Sequence, residues 1–240
     1  RSSSSAASDV YKRQVFFSDL QGFTELTERL EPEVLTKLLT HYLTEMSRIS
    51  IKWGGTIDKF IGDAIMIFFG DPNSQGENQD AINCVKMAME MLDKLEELRE
   101  DWRRNGLALP INARIGIHTG ICTVGNFGSE DRLDYTIIGN GVNLASRLES
   151  HAKPNSILVS EDTYLHIQDE ILCNKHQKFK VKGVAYPVQT YCVDKLLNKE
   201  VSNKHNIKKN FQGFSLEMVF EKIKDRSLAK KTLQDAIRKL

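Results

Sequence analysis

Two aspartates lie at points where apolar, strand-like segments end. Asp19 follows the run "VFFS", and Asp63 separates two apolar runs in "KFIGDAIMIFFG". An unpaired charge beside a hydrophobic core costs several kcal/mol, roughly, so each carboxylate needs a partner. If the two carboxylates meet at one edge of a sheet, Mg²⁺ or Mn²⁺ is the natural partner, because substrate phosphates can complete its shell. The alternative is that Asp19 caps a helix and Asp63 is an ordinary turn residue.

The segment after Asp19, "LQGFTEL", predicts a turn that opens a helix, and it contains Gly22 and Phe23. Backbone N–H groups at the N-terminus of a helix point outward without partners, and the helix dipole favours negative charge there. Gly22 and Phe23 are therefore candidate substrate-binding residues, next to the carboxylates, for the oxygens of a phosphate.

Two further pairs of polar residues have types suited to a nucleotide. Asn143 and Arg147 are four residues apart, so on a helix both project from one face. An amide and a guanidinium placed there can hold a ribose and a phosphate. Lys59 and Thr136 offer an ammonium and a hydroxyl that can read the edge of a purine. Spacing alone equally allows a solvated helix face for the first pair, and it does not establish the second.

The segments that must position these residues alternate between strand and helix patterns. Two β-rich runs separated only by Gly62 and Asp63 predict a hairpin. Apolar residues at helical spacing predict helices over about 35–49 and 80–104. The segments "INARIGIHTG" and "ICTVGNF" predict a second hairpin that turns at Gly120. The order β-α-α-β-β predicts an α+β sandwich, in which helices cover one face of a mixed, mostly antiparallel sheet.

The composition excludes several classes of protein. The chain has 240 residues, 40% hydrophobic and 27% charged, which is typical of one globular domain with extensions. Its 33 basic and 32 acidic residues give no charge excess that would favour nucleic acid or a membrane surface as a partner. No apolar run reaches the ~18 residues of a membrane span. Its four cysteines lack zinc-site spacing and predict reduced thiols in the cytoplasm.

The two ends of the chain differ from its middle. Residues 1–14, "RSSSSAASDVYKRQ", resemble the translation of a sequencing adapter, and we predict that they are a disordered artefact. On that interpretation the natural chain begins upstream of Val15. Residues 15–195 form the predicted catalytic domain. Residues 196–240 predict a polar linker followed by a Lys-rich amphipathic helix of undefined role.

Four motifs in this order carry a resemblance to a known family. They are "FFSDLQGFTEL", "DKFIGDAIMIFFG", "RIGIHTG" and "LDYTIIGNGVNLASRLES". Together they resemble the catalytic domain of the class III nucleotidyl cyclases, the adenylate and guanylate cyclases. The resemblance implies a ferredoxin-like, palm-type fold and a head-to-tail homodimer with active sites between the protomers. It also implies two Mg²⁺ or Mn²⁺ ions in each site, held by Asp19 and Asp63.

The same resemblance implies a role for each of the other polar residues. Lys59 and Thr136 match the base-reading pair, Asn143 matches the ribose-orienting asparagine, and Arg147 matches the arginine that stabilises the transition state. A lysine at position 59 favours ATP, because N1 of adenine accepts a hydrogen bond whereas N1–H of guanine donates one. The implied reaction converts ATP to 3′,5′-cyclic AMP and pyrophosphate, as a step in signal transduction.

Three rival functions remain open at this point. One is a guanylate cyclase, and another is an inactive, regulatory cyclase-like module that binds nucleotide. A third is a dinucleotide-forming cyclase, although no GG(D/E)EF segment is present. Two possible phosphate contacts are also open. Arg114 could reach phosphate or form a salt bridge, and Lys180 or Lys182 could contact the end of the triphosphate.

Overall fold

A computed structural model describes residues 9–107, 111–129, 131–180, 187–197, 206–211, 214–219, 229, 232–234 and 237. The chain divides into two compact units, Arg1–Lys195 and Leu196–Leu240. Among the described residues, no helix combines the length and the apolar character needed to cross a bilayer.

The first unit alternates helices and strands along the chain. Its elements are β1 (Asp9–Gln21), α1 (Phe23–Arg29), α2 (Pro32–Trp53), β2 (Thr56–Ile61), β3 (Ala64–Phe69), α3 (Glu77–Arg104), β4 (Asn112–Gly128), β5 (Leu133–Ile138), α4 (Asn140–His151), β6 (Ser156–Ser160), α5 (Glu161–Ile167), β7 (Ile171–Lys175) and β8 (Thr190–Leu196). The second unit contains β9 (Asn206–Phe211) and β10 (Phe214–Val219).

The first unit is built on an eight-stranded sheet. The strand order is β2-β3-β1-β4-β6-β8-β7, and β5 pairs with β4 outside this path. β1 is antiparallel to both β3 and β4, whereas β4 and β6 are parallel. The predicted α+β class, with a mixed and mostly antiparallel sheet, is confirmed.

The core lies on both faces of this sheet, because neighbouring residues of a strand point to opposite sides. Phe16 packs with the buried stripes of α2 and α3 on one face. Val15 packs with Ala145 of α4 in a separate cluster. The prediction that helices cover only one face was therefore wrong. α2 ends at Trp53, and the following residue, Gly54, has a left-handed φ of 82° that favours glycine at the C-terminus of a helix.

β4 is one strand of 17 residues, so the predicted hairpin at Gly120 was wrong. β4 pairs with the whole length of β1, from Asp9 opposite Val124 to Gln21 opposite Asn112. Gly120 is not a turn residue; its lack of a side chain allows the side chain of His118 to pack closely against the strand. A Cβ atom at that position would lie 2.4 Å from Nε2 of His118, which leaves room only for glycine.

The structure also corrects the predictions for both ends of the chain. Asp9–Gln14 belong to β1, where they pair with β4, so the predicted disorder was wrong for them. Residues 1–8 lie outside the described residues. Asn206–Phe211 is a strand of the β9–β10 hairpin and not part of a polar linker, because it pairs with Phe214–Val219. Ala229, Thr232–Gln234 and Ile237 are helical, as the amphipathic pattern predicts.

Candidate active site

Asp19 and Asp63 meet at one edge of the sheet. β1 and β3 are antiparallel, with Ser18 opposite Ile65, so the end of β1 lies beside the β2–β3 turn that holds Asp63. The backbone N–H of Leu20 donates to Oδ2 of Asp63 at 3.0 Å. Burial, followed by the hydrogen bond and the charge of Asp19, raises the pKa of Asp63 to about 6. The predicted proximity of the two carboxylates is present in the structure.

This pair of carboxylates fits a divalent cation that shares its ligands with a substrate. Burial first, and then the hydrogen bond and charge of Asp19, disfavour the ionised form of Asp63 and raise its pKa, and a bound cation would offset both effects. Within the described ranges, no group of three or more His, Cys, Asp or Glu side chains could hold a metal ion. A pair of carboxylates completed by phosphate oxygens is a donor set that Mg²⁺ accepts.

Arg114 connects this edge to α4. Its Nη2 lies 3.0 Å from Oδ2 of Asp19 and 3.1 Å from Oε1 of Glu149. Of the two roles left open for Arg114, the ion pair is the one present in the structure. Sequence reasoning missed Glu149, although it follows Leu148 on the buried side of the helix. Lys180 is exposed, and Lys182 lies outside the described residues.

Gly22 and Phe23 lie directly after β1, next to the carboxylate edge. Gly22 has a left-handed φ of 81° and precedes α1. The side chain of Phe23 is buried in the core, which leaves its backbone N–H as the group that could contact a substrate. A cavity of about 410 Å³ opens beside this turn. It is lined by Gln21, Gly22, Glu25, Leu26, Arg29, Asn112 and Pro154.

Lys59 and Thr136 lie on neighbouring segments that Asp58 joins. The side chain of Asp58 is fully buried, with 0% exposure. Its Oδ1 accepts a hydrogen bond from the backbone N–H of Ile137 at 3.3 Å. Its Oδ2 lies 3.2 Å from Nζ of Lys59. The β2–β3 register shifts between Ile57 and Lys59, which places Asp58 at the irregularity. Thr136 is buried in β5. Sequence reasoning missed Asp58; its only signal was an aspartate inside a β-rich run.

Asn143 and Arg147 are both exposed on α4, in agreement with their four-residue spacing. The helix backbone packs directly on β4 at Gly116, where a Cβ atom would lie 2.1 Å from the backbone N of Glu149 and 2.4 Å from the carbonyl oxygen of Ala145. In the part of the chain that the structure describes, no hydrogen bond or ion pair joins Asn143 or Arg147 to the carboxylate edge.

Comparison with known proteins identifies the family. The family model described as "Adenylate and Guanylate cyclase catalytic domain" matches residues 7–195. The crystal structure of the adenylyl cyclase CyaB from P. aeruginosa is 53% identical, with a TM-score of 0.77 over 78% of this chain and 96% of that one. The guanylyl cyclase Cya2 is 37% identical, with a TM-score of 0.74 over 80% and 95%. The class III cyclase fold predicted from the motifs is confirmed.

Curated relatives give the same family. An adenylate cyclase of Anabaena cylindrica is 35% identical over 158 residues, which cover 65% of this chain. The terminal-differentiation-specific adenylate cyclase of Dictyostelium discoideum is 36% identical over 182 residues, or 74% of this chain. The matches span 30% and 8% of the length of these two relatives. The chain belongs to the family of adenylate and guanylate cyclase catalytic domains.

Proposed function

We propose that this chain is an adenylate cyclase that converts ATP to 3′,5′-cyclic AMP and pyrophosphate in signal transduction. The observation that carries the proposal is the meeting of Asp19 and Asp63 at the end of β1, with Lys59 in the strand that leads into the same turn. The names of the relatives from Anabaena cylindrica, Dictyostelium discoideum and P. aeruginosa support the choice of an adenylate cyclase.

The two carboxylates are suited to hold two Mg²⁺ or Mn²⁺ ions together with the triphosphate. When bound, such ions lower the pKa of the ribose 3′-hydroxyl and neutralise phosphate charge. Asp63 is held in place by the N–H of Leu20, and Asp19 by Arg114. Because the backbone N–H groups after Gly22 lie at the same edge, we assign Gly22 and Phe23 to binding of the phosphates.

Lys59 and Thr136 would select the base. The ammonium of Lys59 donates to N1 of adenine, and the hydroxyl of Thr136 accepts from the exocyclic amine. Asp58 positions both groups, because its carboxylate contacts Nζ of Lys59 and the backbone of Ile137, which follows Thr136. N1–H of guanine would face an ammonium that has no acceptor for it, so we expect ATP to be preferred over GTP.

Asn143 and Arg147 would act on the ribose and on the reacting phosphate. Asn143 orients the ribose so that its 3′-oxygen faces the α-phosphorus. The new bond forms between these atoms while the bond to pyrophosphate breaks, and the hydroxyl proton passes to solvent. Arg147 stabilises the charge that develops on the α-phosphate, a role in which one lost donor costs about 2.7–4 kcal/mol. No side-chain nucleophile is needed.

We further propose a head-to-tail homodimer. Asn143 and Arg147 are exposed on one face of α4, so they are available to the carboxylate edge of a second copy. Several large apolar side chains are exposed in β2, β4 and β5, a surface that a second protomer would cover. These are Phe60, Ile61, Ile121 and Ile138. The free cysteines fit a reducing compartment, and we place the domain in the cytoplasm.

The test measures products from ATP and from GTP with Mn²⁺ or Mg²⁺, using the full chain and its Asp63→Ala and Arg147→Ala variants. We expect cyclic AMP and pyrophosphate from ATP, no activity from either variant alone, and recovered activity when the two variants are mixed. Recovery is expected because one mixed dimer then contains one intact site. Arg103→Ala, which removes an exposed arginine of α3, is the matched control.

Two outcomes would contradict the proposal. A folded dimer that forms no cyclic product from either nucleotide would support the regulatory module. Cyclic GMP as the main product would show that the assignment of Lys59 is wrong.

A further inference from the structure

Glu149 is a buried carboxylate on the helix that carries the proposed catalytic residues. It is only 7% exposed, and it lies two residues after Arg147 on the opposite, packed side of α4. A carboxylate in such a place is costly unless it is paired. Its partner is Arg114, whose Nη2 lies 3.1 Å from Oε1 of Glu149, although Oε1 itself accepts no hydrogen bond. The guanidinium thus makes an ion pair with Glu149 and donates its hydrogen bond to Asp19.

The same nitrogen of Arg114 serves two carboxylates. Nη2 lies 3.0 Å from Asp19 and 3.1 Å from Glu149, and Arg114 faces Asp19 directly across the β1–β4 ladder. Asp63 is also close enough to act on Glu149 electrostatically. Asp19 and Glu149 thus share one guanidinium, so a change in the charge of either carboxylate alters how tightly the other holds Arg114.

A divalent cation at Asp19 competes with Arg114 for the same oxygen, because both are positive. Glu149 lies 3.1 Å from the same nitrogen, so it is in place to hold the guanidinium when Arg114 leaves Asp19. We propose that Glu149 is a positioning residue for metal binding, which takes Arg114 from Asp19 when a cation arrives. This inference rests on the proposed metal site and assigns a new role within it.

The transfer of Arg114 from Asp19 to Glu149 would also connect two elements of the fold. Glu149 belongs to α4, whose exposed face carries Asn143 and Arg147, while Asp19 belongs to β1. In the proposed head-to-tail dimer, these two elements of one protomer serve different active sites. The Asp19–Arg114–Glu149 chain therefore connects the proposed metal edge of one site to the helix that serves the other.

The test follows Mn²⁺ binding without using turnover. The midpoint of thermal unfolding is measured against Mn²⁺ concentration for the full chain, since a ligand of the folded state raises that midpoint. Glu149→Gln removes the charge at constant size and keeps an oxygen for Arg114. We expect its response to need about ten-fold more Mn²⁺ or higher, as for other residues that hold a metal ligand in place. Glu149→Asp keeps the charge and should restore most of the response.

Two control variants distinguish the loss of the Glu149 charge from a general effect on folding. Glu97→Gln removes an exposed carboxylate of α3 and should respond like the unaltered chain. Glu149→Met, similar in length and uncharged, repeats the test if Glu149→Gln does not unfold cooperatively. In the activity assay the Mn²⁺ concentration for half-maximal rate should rise in Glu149→Gln, with a smaller change in kcat at saturating Mn²⁺. A purely structural role would lower kcat and the metal-free midpoint without moving the metal dependence.

The outcomes distinguish this inference from the proposed function. Coincident Mn²⁺ curves for Glu149→Gln and the unaltered chain would overturn the role of Glu149 and leave the metal site standing. A response that persists in Asp63→Ala, or is absent from the unaltered chain, would overturn the metal site and this inference with it.

Discussion

Replacing Asp63 by asparagine should stabilise the metal-free protein and abolish its activity. The carboxylate of Asp63 lies half-buried against that of Asp19, and its pKa is raised from 3.8 to about 6. Asparagine keeps an oxygen that can accept from the N–H of Leu20, now 3.0 Å from Oδ2, but it carries no charge. The substitution therefore removes a half-buried charge and its repulsion with Asp19, and it also removes a candidate metal ligand.

The sign and the size of the effect follow from proton linkage. The folded protein binds the Asp63 proton more tightly than the unfolded chain, so the wild-type protein loses stability as pH rises from about 4 to 6. At 1.36 kcal/mol for each pKa unit, the difference between 3.8 and about 6 corresponds to about 3 kcal/mol. Because the carboxyl is half-exposed, solvent screening reduces this to about 1–2 kcal/mol.

The assay is thermal unfolding of the wild-type protein and Asp63→Asn between pH 4 and 8, with chelator and then with Mn²⁺. At pH 7.5 without metal, the midpoint of the variant should be higher by about 2–8 °C, given the size of the domain. Near pH 4 the two midpoints should differ little. Mn²⁺ should raise the midpoint of the wild-type protein only. Asp93→Asn, which neutralises an exposed aspartate of α3, is the control for a general charge effect.

The reasoning would be refuted by a variant that is less stable at pH 7.5, or by a gain of equal size at every pH. The first result would mean that the Asp63 carboxylate stabilises the fold. The second would mean that packing, and not the crowding of the two carboxylates, explains the effect.

Three further predictions concern packing, base choice and assembly. Gly116→Ala should lower the free energy of unfolding by about 1–3 kcal/mol and reduce kcat, because its Cβ would lie 2.1 Å from the backbone N of Glu149; an unchanged midpoint and kcat would contradict this. Lys59→Glu should lower the ratio of kcat/KM for ATP to that for GTP, and also total activity because Asp58 then faces a second carboxylate; an unaltered ratio would remove Lys59 from base reading. Ile121→Lys should weaken dimerisation in sedimentation experiments without changing the monomer's fold, since Ile121 is 68% exposed; an unchanged dimer dissociation constant would place the interface elsewhere.

Several features of the fold and the site could be predicted from sequence because their causes are local. The β2–β3 hairpin around Asp63 needs only two β-rich runs and a Gly-Asp turn, and the structure shows it. The four-residue spacing of Asn143 and Arg147 places them on one face of any helix, and α4 has that face exposed. The family could be predicted because the residue types, order and separation of the four motifs are all given by the sequence.

Other features depended on contacts that local patterns do not contain. Gly120 has the properties of a turn residue, but in the fold it makes room for His118 within an unbroken β4. The polar stretch Asp9–Gln14 has little strand character of its own, and it becomes a strand because β4 offers a continuous ladder. Backbone pairing with a long neighbour outweighs weak local preference.

The sequence by itself thus determined the family and the fold class and nominated the candidate site residues, because hydrophobic periodicity and motif spacing are properties of the chain. Only the tertiary structure decided which charges share a partner. Arg114 lies 95 positions from Asp19, and the β1–β4 register brings them to 3.0 Å. The tertiary structure likewise placed the buried carboxylate of Asp58 between Nζ of Lys59 and the backbone of β5. Ion pairs and close backbone contacts depend on distances between segments remote in the chain, which spacing along the sequence does not specify.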